Sequence, residues 1–213
     1  MNALLKKSIA EFIGVTVFLT AITASIENVS PLISLAIALG IMILVTGPIS
    51  GGHLNPAVSL YFYIKREITL GTLLAYVGAQ LLGGLAGAAL GHFLHGEEVA
   101  GFVANSTNLS PAALVGEVVA TAGLVWVIAT LISTKQTSWI PFAVAAWVLS
   151  AANFTATGAQ ANPAVTLGAM FRGALAPNQG VSLMVAQIAG LLLALILTMV
   201  FAPAAKKTAA KKK

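Results

Sequence analysis

The chain has 213 residues, of which 58% are hydrophobic and only 8% are charged, with a formal net charge of +5. Because soluble domains are about 25% charged, this composition excludes an ordinary soluble protein and identifies an integral membrane protein. Cysteine and aspartate are both absent, which excludes disulfides, thiolate metal sites and aspartate pairs for acid–base catalysis. The basic residues lie in loops and tails beside apolar segments, so we predict orientation in a bilayer and no binding to nucleic acid.

Six segments are apolar over the roughly 17–25 residues that a transmembrane helix needs. They are predicted at residues 8–26, 32–50, 70–94, 111–133, 139–155 and 181–202. The first also has features of a secretory signal peptide, because Lys6 and Lys7 precede an apolar run. Glu11 lies inside that run and no clear small-residue cleavage site follows it, so we interpret the segment as a retained first helix.

A polar motif interrupts this apolar pattern twice. Residues 50–57 read SGGHLNPA and residues 157–164 read TGAQANPA. In each copy the asparagine suits the N-cap of a helix and the proline suits its first position. The helices predicted at 55–64 and 162–172 are too short to cross a bilayer at about 1.5 Å per residue. We therefore expect two re-entrant half-helices, and irregular backbone at membrane depth indicates a site that lines a cavity.

The repeat extends beyond the motif. Glu11 precedes Asn55 by 44 positions and Glu117 precedes Asn162 by 45, while a glutamine follows each asparagine by 25, at Gln80 and at residue 187. The chain is therefore predicted to be one all-α membrane domain over residues 1–213, with six transmembrane helices and two half-helices. Its repeats, 1–104 and 105–213, each contain three crossings, so the second must be inverted, which brings the half-helix starts together from opposite faces.

The basic residues predict the orientation. One side of the predicted topology has ten basic residues and the other has only Arg172. The ten are Lys6, Lys7, Lys65, Arg66, Lys135, Lys206, Lys207, Lys211, Lys212 and Lys213. This bias predicts a multi-pass protein of the cell membrane with both termini in the cytoplasm, including a basic tail at 203–213. The loop at 95–110 is expected outside, on the side that also has Glu27, Glu97 and Glu98.

The two helix starts predict a central constriction. Each start has unpaired N–H groups and about +0.5 elementary charge, which disfavours cations and protons. Each asparagine can cap its own helix with its oxygen and offer its NH2 group to a passing oxygen atom. The predicted constriction consists of Asn55, Pro56, Ala57, Asn162, Pro163 and Ala164. Acceptor carbonyls are expected beside it at Gly51, Gly52, His53, Leu54, Gly158, Gln160 and Ala161.

The remaining polar residues of the apolar segments have two interpretations each. An ionisable residue in a membrane helix is by default functional, but Glu11 and Glu117 recur symmetrically, so we predict that they brace the re-entrant loops rather than relay protons. Gln80 and Gln187 are predicted to support them. For His53, a side chain facing the lumen and a brace within the loop are equally consistent with the sequence. No histidine pair with ligand spacing lies beside a carboxylate, so we predict neither a metal nor a cofactor.

The double Asn-Pro-Ala motif, the Ser-Gly-Gly-His lead-in and the paired glutamates and glutamines together resemble the aquaporin or major intrinsic protein (MIP) family. The resemblance covers residues 8–202. It implies a homotetramer with one pore per subunit, which passes water or small uncharged solutes, with Asn55 and Asn162 at the central constriction. The lead-in is more similar to the water-channel branch than to the glycerol branch.

The chain departs from the family pattern at the selectivity filter. Family members usually have arginine directly after the second Asn-Pro-Ala, where this chain has Val165. The other filter positions, counted without gaps from each motif, fall on Leu35, Ser150 and Ala159. These residues imply a wider and less polar constriction without a fixed charge. Arg172 lies seven residues further on and is not expected to replace the missing arginine.

The sequence therefore predicts a passive channel for water. A facilitator of glycerol or another small neutral solute is the alternative within the same class. A closed-pore structural or adhesive membrane protein is an alternative from another class. A secondary transporter is disfavoured because no lumen carboxylate remains to bind a driving ion, and an enzyme is disfavoured because no nucleophile, base and orienting group occur together.

Overall fold

The computed structural model describes residues 2–24, 30–103, 106 and 108–201. Within these ranges the chain forms eight α-helices, and a short 3-10 turn at Thr137–Trp139 precedes α6. The helices are α1 (Ala3–Thr23), α2 (Pro31–Ser50), α3 (Pro56–Ile64), α4 (Leu70–Leu94), α5 (Pro111–Ser133), α6 (Ile140–Phe154), α7 (Pro163–Phe171) and α8 (Pro177–Val200). The all-α prediction is confirmed, and α4 and α5 have the predicted bounds. Glu27 and the predicted tail at 203–213 lie outside the described residues.

The long helices match the predicted crossings. In the described part of the chain, α2, α4, α5, α8 and α6 with its preceding turn are long and apolar enough to cross a membrane. The α1 helix is of similar length at 21 residues, but it includes Lys6, Lys7 and Glu11. It packs parallel to α4, because Phe12, Thr16 and Thr23 approach successively later residues of α4.

The two short helices begin where the repeated motif predicts. Asn55 and Asn162 are the N-caps of α3 and α7, and both have extended backbone, with φ of −157° and −158°. Each helix has nine residues, or about 14 Å of length, which is half of a bilayer's hydrocarbon core. They are the two half-helices that the motif predicts.

The two repeats pack by the same close contacts. A Cβ atom added to Gly83 of α4 would lie 2.7 Å from the backbone oxygen of Phe12 in α1. A Cβ atom added to Gly190 of α8 would lie 2.5 Å from the backbone oxygen of Val118 in α5. Phe12 and Val118 each directly follow one of the paired glutamates. Small residues are needed at these crossings because apolar lipid supplies little force to hold helices together.

The helix directions define two faces of the bundle. The terminal face is the side where α1 begins and α8 ends, and it includes the connections at 65–69 and 134–136. The loop face is the opposite side, where the side chain of Asn178 bonds both backbone groups of Ser106. Large apolar side chains between the faces remain exposed, including Leu74 at 63% and Val185 at 65%. Such a surface matches contact with lipid or with another apolar surface.

Candidate functional site

The segments that lead into α3 and α7 have backbone conformations that side chains rarely adopt. Leu54 and Ala161, which directly precede the two asparagines, have φ values of 49° and 46°, and Ala159 has 49°. Positive φ costs a residue with a Cβ atom about 1–3 kcal/mol when the surroundings enforce it. Bonds from outside the segments must therefore hold these conformations.

Glu11 holds the first segment. Its Oε1 accepts hydrogen bonds from the Ser50 hydroxyl and from the backbone N of His53, at 3.0 Å. Its Oε2 accepts from the backbone N of Leu54 at 2.6 Å and from Nε2 of Gln80 at 2.7 Å. The side chain is fully buried, so these four donors replace the water that a carboxyl group would otherwise bind.

Glu117 holds the second segment in the same way. Its Oε1 accepts from the Thr157 hydroxyl and, at 2.9 Å, from the backbone N of Gln160. Its Oε2 accepts from the backbone N of Ala161 and from Nε2 of Gln187, both at 2.9 Å. The positions of all four donors correspond to those around the first glutamate.

Each glutamine joins its glutamate to a half-helix. Nε2 of Gln80 also donates to Oγ of Ser59 in α3, and Nε2 of Gln187 donates to Oγ1 of Thr166 in α7, both at 2.9 Å. The hydroxyl residues lie four positions after their asparagines. The two networks thus join a membrane helix, a re-entrant segment and a half-helix in each repeat.

The two asparagines cap their own helices. Oδ1 of Asn55 accepts from the backbone N of Ala57 at 2.8 Å, and Oδ1 of Asn162 accepts from the backbone N of Ala164 at 2.9 Å. Each cap satisfies one of the unpaired N–H groups at a helix start. It also fixes the orientation of the amide, because the oxygen is used within its own half-helix.

The NH2 group of each asparagine reaches across to the other repeat. Nδ2 of Asn55 donates to the carbonyl of Ala161 at 2.8 Å, and Nδ2 of Asn162 donates to the carbonyl of Leu54 at 3.0 Å. The half-helix starts therefore meet tip to tip. An amide nitrogen carries two N–H donors, so one donor of each asparagine remains for another partner. The carbonyls of Leu54 and Ala161 were expected only as free acceptors, and each instead accepts one of these cross-repeat bonds.

A cavity of about 80 Å³ opens toward the terminal face. Its wall includes Ile140, Val144 and Val148, which lie on one side of α6, and it reaches both Asn55 and Asn162. Residues 51–54 also line it. The cavity thus has an apolar wall opposite a strip of polar groups from the re-entrant segments.

His53 is part of the polar strip and also has a partner in the fold. The residue lines the terminal-face cavity, and its ring stacks on Phe62, with centroids 4.3 Å apart. Nδ1 lies 3.1 Å from Oγ of Ser59. These contacts support the brace within the loop, and a side chain that faces the lumen stays a prediction.

A second cavity of about 200 Å³ opens toward the loop face. Thr23, Thr157, Gly158, Ala159 and Arg172 are among the residues that line it. Desolvation lowers the pKa of the Arg172 guanidinium from its ordinary value, but an arginine side chain stays charged in proteins. Among the described residues that line this cavity, Arg172 is the one with a positive charge, and it lies at the end of α7 opposite to Asn162.

Three described residues line both cavities: Leu35, Gln160 and Val165. The structure therefore brings two of the predicted filter residues, Leu35 and Val165, together at the junction, and Ala159 lines the loop-face cavity beside them. The position of Gln160 at this junction was not predicted, because the sequence indicated only that its carbonyl lies beside the central constriction. Its position two residues before the second asparagine could have indicated it.

The prediction for Ser150 is wrong. Ser150 is exposed on α6 and lines neither cavity. Val148, two residues earlier, is the last residue of α6 on the terminal-face cavity wall. Two positions on a helix correspond to about 200° of rotation, so the two side chains point in different directions. The count backward from Asn162 crosses the turn after Phe154, where helical spacing no longer applies.

The described residues contain no group of three His, Cys, Asp or Glu side chains that could hold a metal ion. The electrostatics at the centre instead come from the backbone. The starts of α3 and α7 each contribute about +0.5 elementary charge, and they face each other across the two asparagines.

Apolar helices in two repeats, two half-helices that meet tip to tip and cavities from both faces define a helical membrane protein of the channel class. The chain matches the family model described as Major intrinsic protein over residues 1–151. It is 32% identical over 196 residues to Aquaglyceroporin AqpS of Rhizobium meliloti, a match that covers 89% of this chain and 82% of that protein. It is 35% identical over 188 residues to a probable TIP-type aquaporin of Medicago truncatula, with coverages of 77% and 74%.

The fold is also that of a solved relative. The X-ray structure of the aquaglyceroporin from Plasmodium falciparum superposes with a TM-score of 0.72 at 20% identity, covering 92% of this chain and 96% of that chain. The chain belongs to the major intrinsic protein family, and its members are channels rather than enzymes. The relatives are named both as aquaporins and as aquaglyceroporins.

Proposed function

We propose that this chain is a passive membrane channel that conducts water and also admits small neutral solutes such as glycerol. The observation that supports it most strongly is the pair of cavities, because they open toward opposite faces and share Leu35, Gln160 and Val165 as lining residues. A cavity of 80 Å³ has room for several waters, since about 10–15 Å³ of such volume holds one. Together the cavities give a path through the bundle.

Asn55 and Asn162 form the central constriction in this proposal. Each has one N–H donor left after its cross-repeat bond. A water that accepts from both asparagines is oriented with its own hydrogens away from them, so it cannot relay a proton along the file. The two helix starts make the same place electropositive without a full charge, which disfavours cations.

The junction between the cavities favours a solute range wider than water alone. Leu35 and Val165 give it aliphatic walls, and neither offers a hydrogen bond. Such a constriction has no positive charge that would attract an anion. Its aliphatic walls can also be passed by a permeant that is only partly hydrated. The relatives named aquaglyceroporins agree with glycerol as a second permeant.

Orientation and assembly are part of the same proposal. The terminal face is assigned to the cytoplasm of the cell, because it has Lys6, Lys7, Lys65, Arg66 and Lys135, as the positive-inside rule requires. A homotetramer with one path in each subunit is supported by α2, where Ile37 and Leu44 remain 58% and 56% exposed. Contact between subunits would cover such a face.

The test is transport by the purified protein in liposomes. Under an osmotic gradient, vesicles that contain the protein should shrink several-fold faster than empty vesicles, and they should swell again as glycerol enters. A proton-sensitive dye inside the same vesicles should show no added leak. Water permeability equal to that of empty vesicles would contradict the proposal.

Two substitutions at Val165 test the junction. Val165→Arg places a long cation among Leu35, Gln160 and Val165, and it should lower the ratio of glycerol to water permeability several-fold. Val165→Met adds comparable length without charge, so it separates the effect of size from that of charge and should change the ratio less. An unchanged ratio in Val165→Arg would place the selective constriction elsewhere.

A further inference from the structure

A third cavity, the side cavity, has a volume of about 230 Å³ and lies at the terminal face. Residues at the ends of α3, α5 and α8 line it. Of its described lining residues, only Ile132 also lines the terminal-face cavity. The C-terminus of each helix contributes about −0.5 elementary charge. The backbone therefore makes the side cavity electronegative, and the cavity lies beside the path proposed for solutes.

Three aromatic residues line the side cavity: Tyr61, Trp126 and Phe201. The rings of Trp126 and Phe201 have centroids 5.6 Å apart, so they join α5 to the end of α8. The hydroxyl of Tyr61 interacts with the side chain of Thr198 and with the charge of Glu67, and both of these residues line the same cavity. Aromatic rings beside a carboxylate favour an organic cation.

The inverted repeat does not by itself require this cavity. Tyr61 lies six positions after its asparagine, and the residue six positions after the other asparagine is Gly168. A Cβ atom added to Gly168 would lie 2.5 Å from the side chain of Leu19 and 3.0 Å from the backbone oxygen of Gly84. Trp126 likewise corresponds to a threonine, nine positions after the other glutamate. The scaffold thus permits close packing at the equivalent place, and the aromatic residues are a feature of the terminal face.

Two side chains of opposite charge also line the side cavity. Lys65 and Glu67 are exposed, and neither forms an ion pair with another described residue. A ligand with one positive and one negative group can therefore pair with both. Met199 and Val200, which lie between two lining residues of α8, are apolar and 68% and 66% exposed. An apolar surface beside a charged cavity suits a ligand with an acyl chain.

We propose that the side cavity binds the headgroup of an ethanolamine phospholipid from the leaflet at the terminal face. The primary ammonium contacts the aromatic residues and the Glu67 carboxylate at the negative ends of the three helices. The phosphate pairs with Lys65, and an acyl chain follows the exposed side of α8. A choline headgroup has the same charges but no N–H donor, so it lacks the charge-assisted hydrogen bond to the carboxylate. This site is separate from the path and does not depend on which solute the protein transports.

The test compares phosphatidylethanolamine with phosphatidylcholine of identical acyl chains. Binding to the purified full chain in detergent is measured by native mass spectrometry over a range of lipid concentrations. The dissociation constant for phosphatidylethanolamine should be roughly threefold lower, as expected for one additional exposed ion pair. Soluble glycerophosphoethanolamine has the same headgroup without acyl chains and should compete only weakly. Equal dissociation constants for the two lipids, or full competition by the soluble compound at the concentration of the lipid, would overturn the inference.

Two substitutions separate the charged groups of the site. Glu67→Gln removes the negative charge at nearly constant size and should remove most of the preference for phosphatidylethanolamine. Lys65→Gln should weaken the binding of both lipids alike, because both have a phosphate. Glu98→Gln makes the same change as Glu67→Gln at an exposed residue of the loop face and should leave both dissociation constants unchanged. A preference that is unchanged in Glu67→Gln would place the lipid elsewhere and overturn the inference.

A third substitution tests the aromatic wall. Phe201 is 62% exposed, so Phe201→Leu should leave the fold intact. It should weaken the binding of both lipids roughly threefold, because both ammonium groups lose contact with a ring. Trp139→Leu removes a ring that is 61% exposed elsewhere on the terminal face and should have no effect on binding. Equal affinities of Phe201→Leu and Trp139→Leu for phosphatidylethanolamine would contradict the proposed site.

Discussion

The two re-entrant segments, 50–55 and 157–162, are held alike but differ in what they present to the path. Glu11 and Glu117 each bind two backbone N–H groups, one hydroxyl and one glutamine. Two residues before the asparagine, the first segment has a histidine with partners in the fold, and the second has Gln160, whose Oε1 has none in the described chain. The shared contacts therefore form the scaffold of both segments, and the residues two positions before the asparagines differ in how the fold holds their side chains.

The largest effect is expected when a glutamate of the scaffold is removed. Glu11→Ala leaves the backbone N–H groups of His53 and Leu54 without an acceptor, which should lower the free energy of unfolding by about 4 kcal/mol. Glu117→Ala should cost less, because Thr157 and Gln160 are only partly buried and water can replace part of its bonds. Unfolding in mixed detergent micelles measures both.

Glu67→Ala is the matched control for the glutamate variants, since Glu67 is exposed at the terminal face. It should leave stability within about 0.5 kcal/mol of the unmodified protein. If Glu11→Ala were no less stable than Glu67→Ala, the scaffold assigned to the first repeat would be wrong.

The next effect concerns the bonds between repeats. In Asn55→Asp an oxygen replaces Nδ2 and faces the carbonyl of Ala161, so the cross-repeat bond is lost at a cost of about 2–3 kcal/mol. Asn162→Asp should cost as much, because its bond to Leu54 is equivalent. Both variants place a negative charge between the half-helix starts, so an ion-sensitive dye in liposomes should report a new cation leak.

The control for this charge is Asn153→Asp, which makes the same change on the exposed side of α6. It should leave the membrane tight to cations. A cation leak of equal size in Asn153→Asp, or none in Asn55→Asp, would contradict the central position of the two asparagines.

A smaller effect is expected at the helix crossings. Gly83→Ala and Gly190→Ala force a methyl group against the backbone oxygens of Phe12 and Val118, which should destabilise the protein by about 1–2 kcal/mol. Gly190→Ala should cost more, since its contact would be closer. Gly78→Ala, in the same helix as Gly83, meets nothing within 4 Å and should be neutral or stabilising. Thermal unfolding in detergent ranks the three variants, and equal stability of Gly83→Ala and Gly78→Ala would be the contrary result.

The smallest effect tests the hydroxyls of the half-helices. Ser59→Ala removes the partner of both Gln80 and His53, whereas Thr166→Val removes the partner of Gln187 and a longer bond, 3.2 Å, to the backbone oxygen of Asn162 in its own half-helix. We expect losses of about 1.5 and about 0.5 kcal/mol respectively in the free energy of unfolding. Equal losses in the two variants would show that the bond to His53 contributes no more than the 3.2 Å bond of Thr166 to the Asn162 oxygen.

The features that follow local rules could be read from the sequence. Asn55-Pro56 and Asn162-Pro163 predict where the half-helices begin because the N-cap and the first helical position restrict residue type strongly. The ends of α4 and α5 agree because polar or turn-forming residues bound their apolar runs. Each repeat has three membrane crossings, and this odd number was then enough to predict that the second repeat is inverted.

The features that depend on packing between distant segments could not be read in this way. Ser150 was misplaced because a count along the chain ignores the turn between α6 and the second segment. The acceptors of the asparagine amides, Leu54 and Ala161, lie 108 and 106 residues from their donors, and no local pattern encodes such a bond. Ser50 and Thr157 were likewise not recognised as donors to the glutamates, since their role becomes visible only when α1 and α5 are in place.

The reciprocal bonds between the two asparagines and the opposite segments have a consequence for biosynthesis. The acceptor for Asn55 is 106 residues further along the chain, which corresponds to about 5–20 s of translation. During that interval the first half-helix is held only by contacts within its own repeat, such as those of Glu11 and Gln80, and the NH2 group of Asn55 lacks its acceptor. The nascent protein thus completes its centre only when its last third enters the bilayer. A truncated translation product would lack both bonds between the half-helix starts, so it would not contain half of a working constriction.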